Sequence, residues 1–132
     1  MSNGSIKNWF FNKKDDVSVK LEKDKKEGGV NLVLAMDVTS GQGKFQCEVR
    51  SFPCLIGRMR ECKIFLPDTT VGRNHATISF INGSFFITDN GSKNGLIVSG
   101  QIIPENGSRR LYEGDIILLG KSQILIRKII IE

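Results

Sequence analysis

The stretch "ATISFINGSFFITDN", Ala76 to Asn90, decides the fold class. Ala76, Ile78 and Phe80 fall in phase on one side of an extended segment, and "SFFITDN" follows at once. Between the two stands Asn82-Gly83. That dipeptide tolerates the positive φ that both central residues of a type I′ turn require, so the stretch predicts a two-stranded hairpin.

The same period of two recurs on either side. "NLVLAMDV" puts Leu32, Leu34 and Met36 on one face, and "KFQCEVR" does the same with Phe45, Cys47 and Val49. "FPCLIGR" is a short apolar run that ends at Gly57. "DIILLG" and "SQILIRKIIIE" give two more strands, joined by a turn at Gly120-Lys121. No window long enough for a helix keeps a helical period. Short strands punctuated by turn signals predict an all-β sandwich over residues 31–132, and the abundance of isoleucine suits half-buried sheet positions.

Residues 1–30 read differently. "KKDDVSVKLEKDKKEGG" interleaves both charge signs, and Val17, Val19 and Leu21 are too few to bury a face. This is the pattern of a flexible charged N-terminal tail. Trp9, Phe10 and Phe11 are the exception, since three adjacent aromatics are costly to leave in water. Docking on the domain and docking on a partner are both open for them.

A chain of 132 residues is long enough for one packed domain and a short tail. Its 39% hydrophobic and 25% charged residues are an ordinary soluble mixture. No apolar run has the length of a membrane span, and "MSNGSIKNWFFNKKDD" holds no signal-peptide block, so a cytoplasmic protein is expected. The net charge of +5 suits an acidic partner without diagnosing nucleic-acid binding. Cys47, Cys54 and Cys62 lack a C-x-x-C spacing, and the single histidine does not complete a usual zinc set with them. Reduced, largely buried thiols are expected, with no metal and no cofactor.

With the strands set aside, polar residues gather in "GRMREC" (Gly57 to Cys62), "DTTVGRNH" (Asp68 to His75) and "DNGSKNG" (Asp89 to Gly95). Each joins two strands, and alternate connections of a sandwich emerge at the same end. If these three cluster, Arg58, Arg73 and Lys93 converge with Thr69, Thr70, Ser92 and Asn94 around them. Two guanidinium forks and an ammonium make an anion receptor, and a dianionic phosphate is the guest that fits. Plainer roles exist beside these. Asn94-Gly95 is a good turn dipeptide, Ser92 is able to cap its own loop, and Arg60, Arg109 and Arg110 are loop cations that either tune ligand selection or, the plainer role, solvate the surface. His75 has no nucleophile near it and no second histidine to share a metal, so it reads as a buried, hydrogen-bonded residue rather than a base.

The runs "IGR", "VGRNHATI", "FFITDNGSKNG" and "LYEGDIILLG", in that order, resemble the forkhead-associated (FHA) domain, in particular its short stand-alone bacterial members. The resemblance covers about residues 31–131. It implies an FHA-type β-sandwich of about eleven strands, with loops at one end that bind phosphothreonine peptides, and no enzyme activity. It assigns phosphate contact to Arg58, phosphate or peptide-backbone contact to Arg73, phosphate contact to Lys93 and the bound peptide's main chain to Asn94. Thr70 and Ser92 join them as hydroxyls of the site. His75 would brace the loops from inside, and Gly57, Gly95, Gly114 and Asp115 would hold turns and scaffold.

Two positions depart from the family pattern. Leu96 follows Asn94-Gly95 where threonine is usual. Gly72 stands where a serine hydrogen-bonds the phosphate, and a bond to a charged group is worth roughly 1.5–3 kcal/mol, about tenfold to a hundredfold in affinity. Two substitutes are open: a hydroxyl from Thr69 or Thr70, or the backbone N–H that a glycine exposes to an anion. The expected function is therefore a phosphothreonine-binding adaptor, taken as a monomer with a Thr-phosphorylated protein as partner. The alternative is a phosphate-independent scaffold with a degenerate site. Non-specific nucleic-acid binding ranks below both, because the basic loops carry no stacking aromatics. The tail has no threonine before Thr39, so self-inhibition through a tail phosphothreonine is not expected.

Overall fold

Alternating apolar residues become strands along the whole described chain. The computed structural model describes residues 30–41 and 43–132; the tail expected over residues 1–30, with Trp9, Phe10 and Phe11, lies outside them except for Val30. The strands are β1 (Leu32–Ser40), β2 (Gly43–Val49), β3 (Cys54–Gly57), β4 (Ile64–Phe65), β5 (Ala76–Ile81) and β6 (Ser84–Asp89). They continue as β7 (Leu96–Val98), β8 (Gln101–Ile103), β9 (Ser108–Arg110), β10 (Ile116–Leu119) and β11 (Ser122–Ile131). No helix forms among the described residues, so none is long and apolar enough to cross a membrane.

Two sheets result. One has the order β2-β1-β11-β10-β7-β8 and the other β4-β3-β5-β6-β9. Most neighbours are antiparallel, and β3 and β4 run parallel. The inward residues of both sheets meet in one core. Leu34, Met36, Leu96, Ile117, Leu119 and Ile124 face Ile56, Ala76, Ile78, Phe85 and Ile87, all with essentially no exposure. Each fully buried Leu, Ile or Phe contributes about 1.5–3 kcal/mol, which is what holds two facing sheets together.

The hairpin that opened the sequence reading has the turn its dipeptide calls for, with φ of 50° at Asn82 and 82° at Gly83. Its register pairs Ile81 with Ser84 and Ala76 with Asp89. β1 begins beside the end of β11: the Asn31 N–H donates to the Glu132 carbonyl at 2.6 Å and the Glu132 N–H returns to Asn31 at 2.9 Å. Val30 packs against the core at this junction.

At the start of β10 the buried Asp115 carboxylate gathers three donors. The Ser99 hydroxyl reaches it at 2.7 Å, the Arg109 guanidinium at 2.9 Å and the Tyr112 N–H at 2.7 Å. This network fixes the turn at Gly114, whose φ of 90° suits glycine.

Candidate functional site

Four connections meet at one end of the sandwich: 58–63 after β3, 66–75 before β5, 90–95 after β6, and the Gly120-Lys121 turn between β10 and β11. Hydrogen bonds between their backbones and short side chains tie them together.

The first two are clamped by glycine. A Cβ on Gly57 would lie 2.1 Å from the Arg73 carbonyl oxygen, so no other residue allows this approach. The Arg58 N–H then donates to the Gly72 carbonyl at 2.9 Å, and the Met59 N–H to the Arg73 carbonyl at 3.3 Å. Beneath them the Cys62 thiol donates to the same Arg73 carbonyl at 3.3 Å, with Asn74 Oδ1 at 3.5 Å. Burial pushes that thiol up to about 11, so it stays protonated as a donor. Cys47, Cys54 and Cys62 form no disulfide.

The second and third connections are joined through His75, which is buried. The Gly72 N–H donates to Nδ1 at 2.8 Å, so Nε2 carries the hydrogen and donates to the Gly95 carbonyl at 2.7 Å. The neutral ring thus spans both loops. Replacing His75 by alanine strands a donor and an acceptor that are both half-buried. We expect a loss of about 2–4 kcal/mol in stability, measured by urea unfolding, and a loss under 1 kcal/mol would contradict the bracing geometry.

Asp89, also buried, shapes the third loop. It accepts from the N–H groups of Gly91 at 3.2 Å and Ser92 at 3.1 Å and from the Ser92 hydroxyl. The Asn94 amide donates to the Thr70 carbonyl at 2.8 Å, which leaves its oxygen directed at no described residue. Leu96, the unusual successor of Gly95, is a core residue with no exposure.

Arg58, Arg73 and Lys93 are all exposed and make no ion pair among the described residues. Arg58 is oriented: its Nε donates to the Val71 carbonyl at 3.0 Å, and both terminal NH2 groups stay unpaired. That geometry presents a planar fork of the kind that takes two oxygens of an anion. The Arg73 carbonyl is held by the Met59 N–H and the Cys62 thiol, and the side chains of Arg73 and Lys93 make no hydrogen bond to a described residue.

The hydroxyls and the glycine N–H behave differently. Thr70 donates to Asp68 Oδ1 at 2.6 Å, and Ser92 donates to Asp89, so neither has a hydrogen left for an acceptor-only phosphate. The Gly72 N–H is taken by His75. Of the substitutes open from sequence, the exposed Thr69 hydroxyl is the one that bonds to no described residue.

Residues that the sequence reading passed over complete this end. Asp68 accepts from the Thr70 N–H at 2.8 Å, and its other oxygen accepts from the Ser122 hydroxyl at 2.7 Å. The Lys121 N–H donates to the Thr70 hydroxyl at 2.8 Å. The Asp-x-Thr spacing of an Asx turn was the available signal for Asp68, while the partners on β11 carried none.

Burial alone would push the Asp68 carboxyl up. Hydrogen bonds from Thr70 and Ser122 and the nearby Lys121 ammonium outweigh it and hold the group below its ordinary value of 3.8. In Asp115 burial again acts upward, and the bonds from Ser99, Arg109 and Tyr112 hold it below 3.8. The unfolded chain therefore takes up these protons at higher pH than the native one. Their stabilisation is complete above the ordinary carboxylate range and is lost as pH falls from about 4 through the lower native values. Urea midpoints should fall over that window, and Asp115→Asn should flatten the slope; an unchanged slope would contradict the network.

Among the described residues no group of three or more His, Cys, Asp and Glu is placed to hold a metal ion. The FHA domain family model matches residues 54–120, about half the chain, which takes in the first three connections and ends at Gly120. FhaA, an FHA domain-containing protein of Mycobacterium tuberculosis, is 32% identical over 99 residues, which is 75% of this chain and 18% of that protein. The oxoglutarate dehydrogenase inhibitor of Corynebacterium efficiens is 42% identical over 69 residues, 52% of this chain and 46% of that protein. The chain thus spans less than half the length of these relatives. A structure from work on phosphothreonine-dependent FHA domain interactions superposes with a TM-score of 0.64 at 29% identity, over 73% of this chain and 96% of the other. FHA domains are phosphothreonine-binding modules. A sandwich of eleven strands, with glycine-clamped loops at one end and a family model matched across them, leaves one assignment: the chain belongs to the FHA domain family.

Proposed function

We propose that this chain is an adaptor module that binds phosphothreonine peptides, with Arg58 as the principal phosphate contact. The observation that carries this is the anchored guanidinium of Arg58, held by its Nε on the Val71 carbonyl with both terminal NH2 groups unpaired at the loop end. Arg73 and Lys93 supply further charge to the phosphate, and the free oxygen of Asn94 accepts from the peptide main chain. Thr70 and Ser92 support the loops, as do Gly57, His75 and Gly95. In this reading the chain acts as a monomer in the cytoplasm on a Thr-phosphorylated protein. It performs no chemistry and takes no cofactor, small-molecule substrate, nucleic acid or membrane of its own.

Titration of a degenerate phosphothreonine peptide library and its unphosphorylated twin tests the proposal. Preference for the phosphorylated library is expected, and equal binding of the two would overturn it.

A second reading is favoured by Gly72 and by the engaged hydroxyls of Thr70 and Ser92. In it the sandwich is a scaffold whose partner binding does not depend on phosphate. Complexes that survive phosphatase treatment would select this reading.

A further inference from the structure

The β10–β11 turn is pressed onto the binding loops more closely than a strand connection needs. Gly120 has a φ of 57°, and a Cβ there would stand 2.3 Å from the Thr70 hydroxyl oxygen and 2.4 Å from the Thr70 carbonyl oxygen. Only a residue without a side chain lets the turn lie there. Lys121 then donates its N–H to the Thr70 hydroxyl at 2.8 Å, and Ser122 its hydroxyl to Asp68 at 2.7 Å. The same Thr70 carries Asn94 on its carbonyl, and the next carbonyl, of Val71, carries Arg58. Lys121, Asn94 and Arg58 therefore all hang on one dipeptide, Thr70-Val71.

Exposed cations outnumber exposed carboxylates at this end. Arg58, Arg60, Arg73, Lys93 and Lys121 are exposed cations. The Asp68 and Asp89 carboxylates are engaged by loop hydrogen bonds, and Glu61 and Glu105 are the exposed carboxylates beside these loops. A phosphothreonine brings about −1.5 to −2 charges. Arg60 is drawn over the Phe65 ring at 5.9 Å, toward β4. Lys121 makes no ion pair among the described residues, and its backbone is fixed beside the phosphate-facing loops.

We infer that Lys121 is a further contact of the phosphopeptide site and selects ligands with acidic residues beside the phosphothreonine. This rests on the phosphothreonine reading above. Complementary charge at the rim of a site discriminates among ligands and speeds their encounter.

The test uses the full chain and three synthetic peptides: a phosphothreonine flanked by alanines, the same peptide with glutamates flanking on both sides, and the glutamate peptide without phosphate. Wild type should prefer the acidic phosphopeptide by about two- to fivefold, the range of one exposed ion pair, and salt should erase the preference. Lys121→Ala should lose that preference and keep its affinity for the alanine-flanked phosphopeptide. Lys121→Glu should invert it. An acidic preference that persists in Lys121→Ala, or an equal loss for both phosphopeptides, overturns the inference and leaves the phosphothreonine reading standing. Binding of the unphosphorylated acidic peptide as tightly as the phosphorylated one overturns both. Thermal melts of the variants check folding, since the Lys121 ammonium acts on the Asp68 carboxylate through its charge.

Discussion

Arg58→Ala is expected to lower affinity for a phosphothreonine peptide by about 2–3 kcal/mol, roughly 30- to 150-fold, while affinity for the unphosphorylated peptide stays the same. The side chain reaches the site with one donor committed to the Val71 carbonyl and the rest unpaired. Its removal deletes an oriented fork, which a flexible point charge replaces only in part. Arg58→Lys should therefore fall between wild type and alanine. Calorimetric titration of the three proteins decides the matter. If alanine binds the phosphopeptide as wild type does, the phosphate lies elsewhere.

Gly72→Ser should act in the opposite direction and tighten the phosphopeptide complex by about tenfold or more. A Cβ at this position meets His75 at 3.5 Å or beyond, which is ordinary contact, and the backbone there is not in the left-handed region. The substitution thus adds a hydroxyl without strain and without disturbing the Gly72 N–H bond to the ring. The new hydroxyl would supply the hydrogen that Thr70 and Ser92 have spent. A gain confined to phosphorylated peptide is the signature. Unchanged affinity would mean that Thr69 already serves, or that the partner is recognised without its phosphate, and binding by Thr69→Ala separates the two.

The sandwich was legible where strands are long enough to alternate. β1, β2, β5, β6, β10 and β11 each show their inward residues in the sequence, and Asn82-Gly83 marks one turn without ambiguity. β4, β7, β8 and β9 have two or three residues each, too few for a period to appear. They exist because neighbours pair with them, as Val98 does with Ile117 and Ile56 with Ile64. The loop cations were legible from spacing alone. Which donors remain free was not, because the Thr70 hydroxyl is settled by Asp68 and by the distant Lys121, and the Gly72 N–H by the tautomer of His75.

The pairing of Asn31 with Glu132 has a consequence for architecture. β11 starts at Ser122, bonded to Asp68, and runs its ten residues away from the loops, about 30 Å of extended chain. The two ends of the sandwich therefore leave it side by side at the pole opposite the loops. A host protein into which the sandwich is inserted would be joined to it at that pole, with both connections on the side away from the loops.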